Sequence, residues 1–410
     1  MSAEKSRFQL GAMVFSAMLG NAFGVATLST IYALGSLAPP LGEAFGWSRA
    51  EIMSVAFVML PGLAPMIVAS GWFVDRFGAK KLIAGSQLGL SLCFVALSFV
   101  ETLFQFYFLY ALMAVVAAGS FPVTFARVIA ANFTARRGLA LGCALAGTGV
   151  AGLTVPYITT WAVIQFGWQG AYLVLAALPL IALPTTLLFI PAGSTGAAVA
   201  LTPAQAGNSR AEIWGSIRSR RYAINTFVFC VAGGVLAAAA MSTVPMLVAS
   251  GFEPLAAARL AGIIGITVII GRLVMGHALD RAWAPLVTMI ALLFPAAALF
   301  LLSLGTTDTL LILILLAVLG LSLGAEVDAC AYLTSRYFGV RHFGLLYSIQ
   351  YVIITVGTAV ASLGMGATFD RTGSYSMAML GSAILITAVA PLLLLLGPYP
   401  SPVEEEPHIA

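Results

Sequence analysis

Twelve stretches of mostly apolar residues, each close to the ~20 that a helix needs to cross a ~30 Å hydrocarbon core, leave this 410-residue chain little choice of fold. They centre near residues 21, 61, 91, 117, 150, 180, 235, 266, 294, 322, 356 and 386 and use up nearly the whole sequence. In lipid every backbone N–H and C=O must be satisfied within the spanning structure, so each stretch is predicted to be a helix. Composition agrees, because 61% hydrophobic and 8% charged residues exclude a soluble globular chain. The opening "MSAEKSRFQLGAMVF" runs straight into a span too long for a signal-peptide core, so no cleaved leader is expected. Cys93, Cys143, Cys230 and Cys330 all fall inside spans, where thiols pack, so neither a disulfide framework nor a metal or cofactor site is expected.

Loop charges give the orientation. With the amino terminus inside, the inner loops hold fourteen basic residues: Lys5, Arg7, Arg76, Lys80, Lys81, Arg136, Arg137, Arg210, Arg218, Arg220, Arg221, Arg281, Arg336 and Arg341. The outer loops hold Arg49, Arg259 and Arg371. The positive-inside rule therefore predicts two cytoplasmic termini in a bacterial-type inner membrane. The formal charge of +4 is a topology signal and not a nucleic-acid footprint.

The chain also repeats itself. Gly71 and Asp75 of "GWFVDRFGAKK" match Gly276 and Asp280 of "GHALDR" at an offset of 205, as Gly46 matches Gly251. Gly138 falls over Gly344 and Gly167 over Gly373 at 206. A spacing of 205 or 206 across four anchors predicts two parallel six-helix halves, 1–190 and 221–397. A polar linker, 191–220, joins them and an acidic tail, 398–410, follows.

These features resemble the major facilitator superfamily: an all-α membrane protein of twelve transmembrane helices in two pseudo-symmetric halves, with G-x-x-x-D-R-x-G-x-K-K after the second helix and an eroded copy after the eighth. The resemblance implies alternating access by a secondary transporter acting as a monomer. It assigns the cytoplasmic gate to Gly71, Asp75, Arg76 and Gly78, with Asp280, Arg281, Arg136 and Arg137 in the second copy and the facing loop. A carboxylate at a helix end gains from exposed N–H groups and nearby arginines, and such contacts must break when the halves rock apart.

Charges within spans are expensive in lipid and mark function. Four remain once loops are subtracted: Arg127 on the fourth span, Arg272 on the eighth, and Glu326 and Asp328 on the tenth. Arg272 precedes Asp280 by eight residues, roughly 12 Å of helix, which brings it near mid-membrane. "GRLVMGHALDR" is similar to the eighth-helix R-x-x-x-G of the monocarboxylate transporters and the oxalate:formate exchangers, in which that arginine holds the substrate carboxylate. A planar, permanently charged guanidinium suits that task. The alternative is that Arg272 is half of a structural ion pair with a tenth-span acid.

Departures from that branch narrow the expectation. Gln350 stands where the oxalate exchanger has a second cation, so one carboxylate is expected, and Tyr32 and Val268 stand near the coupling lysine and aspartate of the monocarboxylate carriers. A proton carrier must then be sought elsewhere, and Asp328, on one face with Tyr332 and Ser335, is the first choice. Glu326, about 200° round the helix with Ser322 and Cys330, is the second, and only one of the two acids is expected to face the cavity. Arg272, Tyr332, Gln350 and Arg127 are the expected substrate contacts, and Phe121 and Phe125 an apolar wall. The reading is a small monocarboxylate carried with a proton; an organic-anion exchanger and proton-coupled efflux of hydrophobic compounds are the alternatives. Catalysis is not expected, since His277, His342 and His408 all lie at or beyond the cytoplasmic boundary with no nucleophile–base cluster.

Overall fold

The computed structural model describes residues 7–133, 137–192, 212–339 and 343–399. Among these residues every regular element is helical. Ten helical runs are long and apolar enough to cross a membrane, and Leu103–Val116 is a shorter apolar helix. The longest run, Ala140–Phe189, holds two predicted spans, because the backbone breaks at Gly167, where φ is 71°. Only glycine adopts that left-handed conformation without strain, so the break is written into the sequence. The linker segment 193–211, the tail 400–410, Arg136, Arg341 and His342 lie outside the described residues, while 212–218 at the linker's end is helical.

Several predicted spans are interrupted, and two of them bear on the interior. The first is Arg7–Ala22, a π-helical turn at Thr27–Ile31, then Leu34–Phe45. At the break before the π turn the Thr27 hydroxyl reaches the Ala22 and Gly24 carbonyls at 2.7 and 3.0 Å, the latter also accepting from the Leu28 N–H at 3.1 Å. The fourth passes from Leu103–Val116 through a 3-10 turn at Ala118–Ser120 to Pro122–Asn132. There the Gly119 N–H donates to Ser86 Oγ at 2.9 Å, and a Cβ on Gly119 would collide with Leu82 and Ser86. Close approach to the Ala79–Leu97 helix therefore holds the interruption in place.

Buried apolar side chains follow the internal repeat. One cluster comes entirely from residues 228–396, and the other two come from residues 13–190 plus Met241. The halves meet along a bare seam. Gly149 and Gly152 of Gly147–Phe189 press against Gly265 of Pro254–Arg281, so that a Cβ on Gly152 would stand 2.8 Å from the Gly265 Cα. Small residues let membrane helices approach to this degree.

A second contact closes the membrane face opposite the chain's termini. The Asp370 carboxylate accepts from the Arg49 and Ala50 N–H groups at 2.9 and 2.8 Å, capping Arg49–Met53 from the end of Phe343–Thr372. Arg49 also lies 5.5 Å from the Phe369 ring centre, and a Cβ on Gly366 would stand 2.9 Å from the Ala50 N. Phe369 in turn stacks on Tyr375 at 4.7 Å, and burial pushes the Tyr375 hydroxyl up to about 12. On the termini's own face Arg221 Nε donates to the Leu396 carbonyl at 3.0 Å and Arg336 lies 4.6 Å from the Tyr399 ring centre.

Candidate functional site

Close packing of Pro254–Arg281 on Thr309–Phe338 builds the centre of the site. The Gly271 Cα abuts the Leu321 backbone, and Gly320 and Gly324 abut the backbones of Ile264 and Val268. This small-residue contact brings Arg272 Nη1 to 2.8 Å from Asp328 Oδ1, the one salt bridge among the described residues. The pair is not sealed: 13% of the Arg272 side chain and 32% of the Asp328 side chain are accessible. The guanidinium is also half used, because the buried Nε–H of Arg272 has no hydrogen-bond partner among the described residues.

Glu326 is 4% exposed and lines a cavity of about 130 Å³ between the halves. Its carboxylate sits over Gly233, where a Cβ would stand 2.5 Å from Oε2, and Oε2 has no hydrogen-bond partner among the described residues. The cavity wall includes Val25 and Ser29 from the first span, Phe121, Tyr351 and Thr355. Val25 and Ser29 flank the start of the π turn, so that distortion shapes the wall. The rings of Phe121 and Tyr351 meet edge to face at 5.7 Å. Tyr32 is buried with its hydroxyl against Gly152.

Several expected positions differ from this arrangement. Of the two tenth-span acids only Glu326 lines this cavity, whereas Asp328, the first choice, meets Arg272. The expected helical phase is correct, but a helix packed between partners has two buried sides. Gln350 is fully buried and away from the cavity; its Oε1 lies 2.6 Å from Thr334 Oγ1 and its Nε2 donates to Thr226 Oγ1 at 3.2 Å. Its amide ties three helices together. Tyr332 lies a turn beyond Asp328, with Arg336 and Asp280 as its charged neighbours. Arg127 is exposed on Pro122–Asn132 and does not join the Arg272–Asp328 pair. Phe121 lines the cavity, whereas Phe125 is core, packed on Gly20. The signal that sequence reasoning overlooked is Gly233, since an acid facing a glycine across a helix pair can lie at a cavity wall.

The described gate residues lie at or near helix ends. Gly71, Asp75 and Arg76 lie in the last two turns of Leu60–Phe77, with Arg76 exposed 5.9 Å from the Phe77 ring centre. Gly78, at φ 80°, forms the turn into Ala79–Leu97, so a glycine is needed there whatever the gate does. Asp280 and Arg281 end Pro254–Arg281 in exposed positions, and Arg137 begins Arg137–Leu145.

The family profile described as Major Facilitator Superfamily matches residues 14–361. The gallate transporter of Pseudomonas putida is 24% identical over 396 residues, covering 86% of this chain and 85% of that protein. Monocarboxylate transporter 11 of Mus musculus is 23% identical over 374 residues, covering 88% and 82%. Among solved structures, the nucleoside transporter NupG superposes with a TM-score of 0.74 at 14% identity, covering 96% of this chain and all of that one. At that identity the likeness concerns the fold alone.

Proposed function

Because this chain belongs to the major facilitator superfamily, we propose that it carries a small organic monocarboxylate across the membrane by alternating access, together with a proton. The observation that supports the substrate class is the half-used guanidinium. Asp328 engages Nη1 of Arg272, while the buried Nε–H is left as a charged donor for an incoming carboxylate. The relatives named for gallate and for monocarboxylates handle acids of this kind.

Charge balance supports the proton. Arg272, Asp328 and Glu326 sum to a formal charge of +1 − 1 − 1 = −1 in a region of low dielectric. An arriving carboxylate would take the site to −2, and a proton on one acid offsets that cost. Asp328 is the assigned carrier, since neutralising it frees Arg272 for the substrate; Glu326 is the alternative. Two halves, 1–190 and 221–397, would rock about the glycine seam. Asp370 on Arg49–Met53 would shut one face, and Asp75, Asp280 and the arginines near them the other, with both termini cytoplasmic.

Uptake of a panel of radiolabelled acids into proteoliposomes, with and without an imposed pH gradient, tests the reading. Concentrative uptake of at least one monocarboxylate under an acid-outside gradient is expected. Carriage of no carboxylate would refute the substrate class, and carriage indifferent to the gradient but dependent on internal anion would replace symport by exchange.

A further inference from the structure

We propose that the cavity beside Glu326 is a second ligand site, separate from the Arg272–Asp328 pair, and that it takes a small organic ammonium ion with an apolar body. This site does not depend on where a carboxylate binds.

The cavity is lined by Glu326 and not by Asp328, which turns to Arg272 on another side of the same helix. Glu326 is 4% exposed, and its Oε2 has no hydrogen-bond partner among the described residues, so an acid is held out of water with an acceptor unmet. Space is kept in front of that oxygen: at Gly233 any larger residue would bring a Cβ to 2.5 Å from it. The hydroxyls on the wall are acceptors as well. Ser29, Thr355 and Thr358 line the same cavity and donate to the carbonyls of Val25, Tyr351 and Ile354 one turn earlier, which leaves their lone pairs for a ligand. Among the described residues no cation lines the cavity, so an anion gains nothing there, whereas a charged donor meets a carboxylate and three hydroxyl oxygens.

A bare metal ion is a poor match for the rest of the surface, which is hydrocarbon and ring. Met59, Leu63 and Leu323 line it, with Phe121 and Tyr351 at right angles and 5.7 Å between their ring centres. Such a wall packs an apolar body, and aromatic faces attract an organic cation. At about 130 Å³ the cavity is close to the ~150 Å³ that holds one benzene, so the body is a single ring or a short branched chain. A hydrocarbon would leave Glu326 unmet, and an alcohol would supply a donor without the charge; a site built around a buried polar group discriminates against both.

The test is equilibrium binding of radiolabelled benzylamine to the purified chain in lipid nanodiscs at neutral pH, where the amine is protonated. Benzyl alcohol, benzoate and sodium at constant ionic strength are the competitors, and empty nanodiscs give the partition background. Saturable binding is expected, with benzylamine favoured over benzyl alcohol by roughly tenfold or more, the ratio set by a hydrogen bond between charged groups. In Glu326→Gln the preference should shrink, and in Glu326→Ala it should fall to about one. Gly233→Ala, which fills the space at Oε2, should lower it too. The preference is read within each variant, so a reduced yield of folded protein does not mimic the effect. Arg272→Lys should leave benzylamine binding unchanged, although the proposed function expects that variant to lose affinity for the acid. No saturable binding, a wild-type preference near one, or a preference unchanged in both Glu326 variants overturns the proposal. Displacement by sodium would make this an inorganic cation site, and displacement by benzoate together with loss in Arg272→Lys would merge it with the acid site; each refutes the separate ammonium site. Failure of benzylamine to bind leaves the proposed function standing.

Discussion

Replacing Arg272 by lysine separates the two tasks that the structure gives this residue. Lysine keeps the positive charge and can still face Asp328, whose Oδ1 now lies 2.8 Å from Nη1. It cannot also present a second donor at the position of Nε, the buried and unpartnered edge. A hydrogen bond to a charged group contributes about 1.5–3 kcal/mol. At about 1.4 kcal/mol per tenfold, the dissociation constant of the carboxylate should rise roughly 10- to 150-fold. Stability should change little, because the ion pair survives. Arg272→Ala is the harsher counterpart: it strands Asp328, and breaking a buried pair costs about 3–5 kcal/mol, here reduced because 32% of the Asp328 side chain is accessible. Arg272→Ala with Asp328→Ala should regain stability without regaining binding. The assay is equilibrium binding of radiolabelled acid to purified protein in lipid nanodiscs, with thermal unfolding alongside. Arg272→Lys binding within twofold of wild type, at equal stability, would show that the free edge holds no substrate.

Asp328→Asn should preserve exchange of labelled for unlabelled acid while abolishing accumulation driven by a pH gradient; accumulation that persists would move the proton to Glu326 or to no acid. Asp370→Asn leaves one acceptor for the Arg49 and Ala50 N–H groups and should weaken the cap by about 1.5–3 kcal/mol, the scale of a charged hydrogen bond, and so raise the population open on that face roughly 10- to 150-fold. Labelling of a cysteine at the buried Ser362, by an impermeant thiol reagent in a chain without its native cysteines, reads that population, and an unchanged rate would mean the cap does not control the face. Gly78→Ala places a Cβ on a residue at φ 80° and should cost about 1–2 kcal/mol of stability, seen as a lower unfolding temperature; an unshifted midpoint would mean the turn adapts without strain.

The fold is legible because lipid is a strict filter: run length and the scarcity of charge mark spans, and glycines at fixed intervals mark the repeat. Arg272 and Asp328 stand out for the same reason, each being too costly in a span without a partner or a task. What the sequence hides depends on facing helices. Register against relatives that have a cation there puts Gln350 among the substrate contacts, yet the packing of Thr226 and Thr334 decides that its amide is buried. Helical phase sets Glu326 and Asp328 on different sides of one helix, but angle alone does not say that Gly233 opens space on one side and Arg272 waits on the other. The π turn at Thr27–Ile31 adds a residue to the first span's turn, so a wheel of constant pitch misphases everything beyond it.

The seam of Gly149, Gly152 and Gly265 is a bearing with few teeth, chiefly Ile269 and Tyr32 at its edges. Where side chains interlock, one surface can slide past another only by lifting each chain out of its slot and freezing it into the next, and every such step adds to the barrier. Where backbone meets backbone, as at Gly152 and Gly265, there are few slots to leave and few rotamers to reorder. Under the proposed alternating access the seam would add little friction, and the release of the Arg49–Met53 helix by Asp370 would then set the pace.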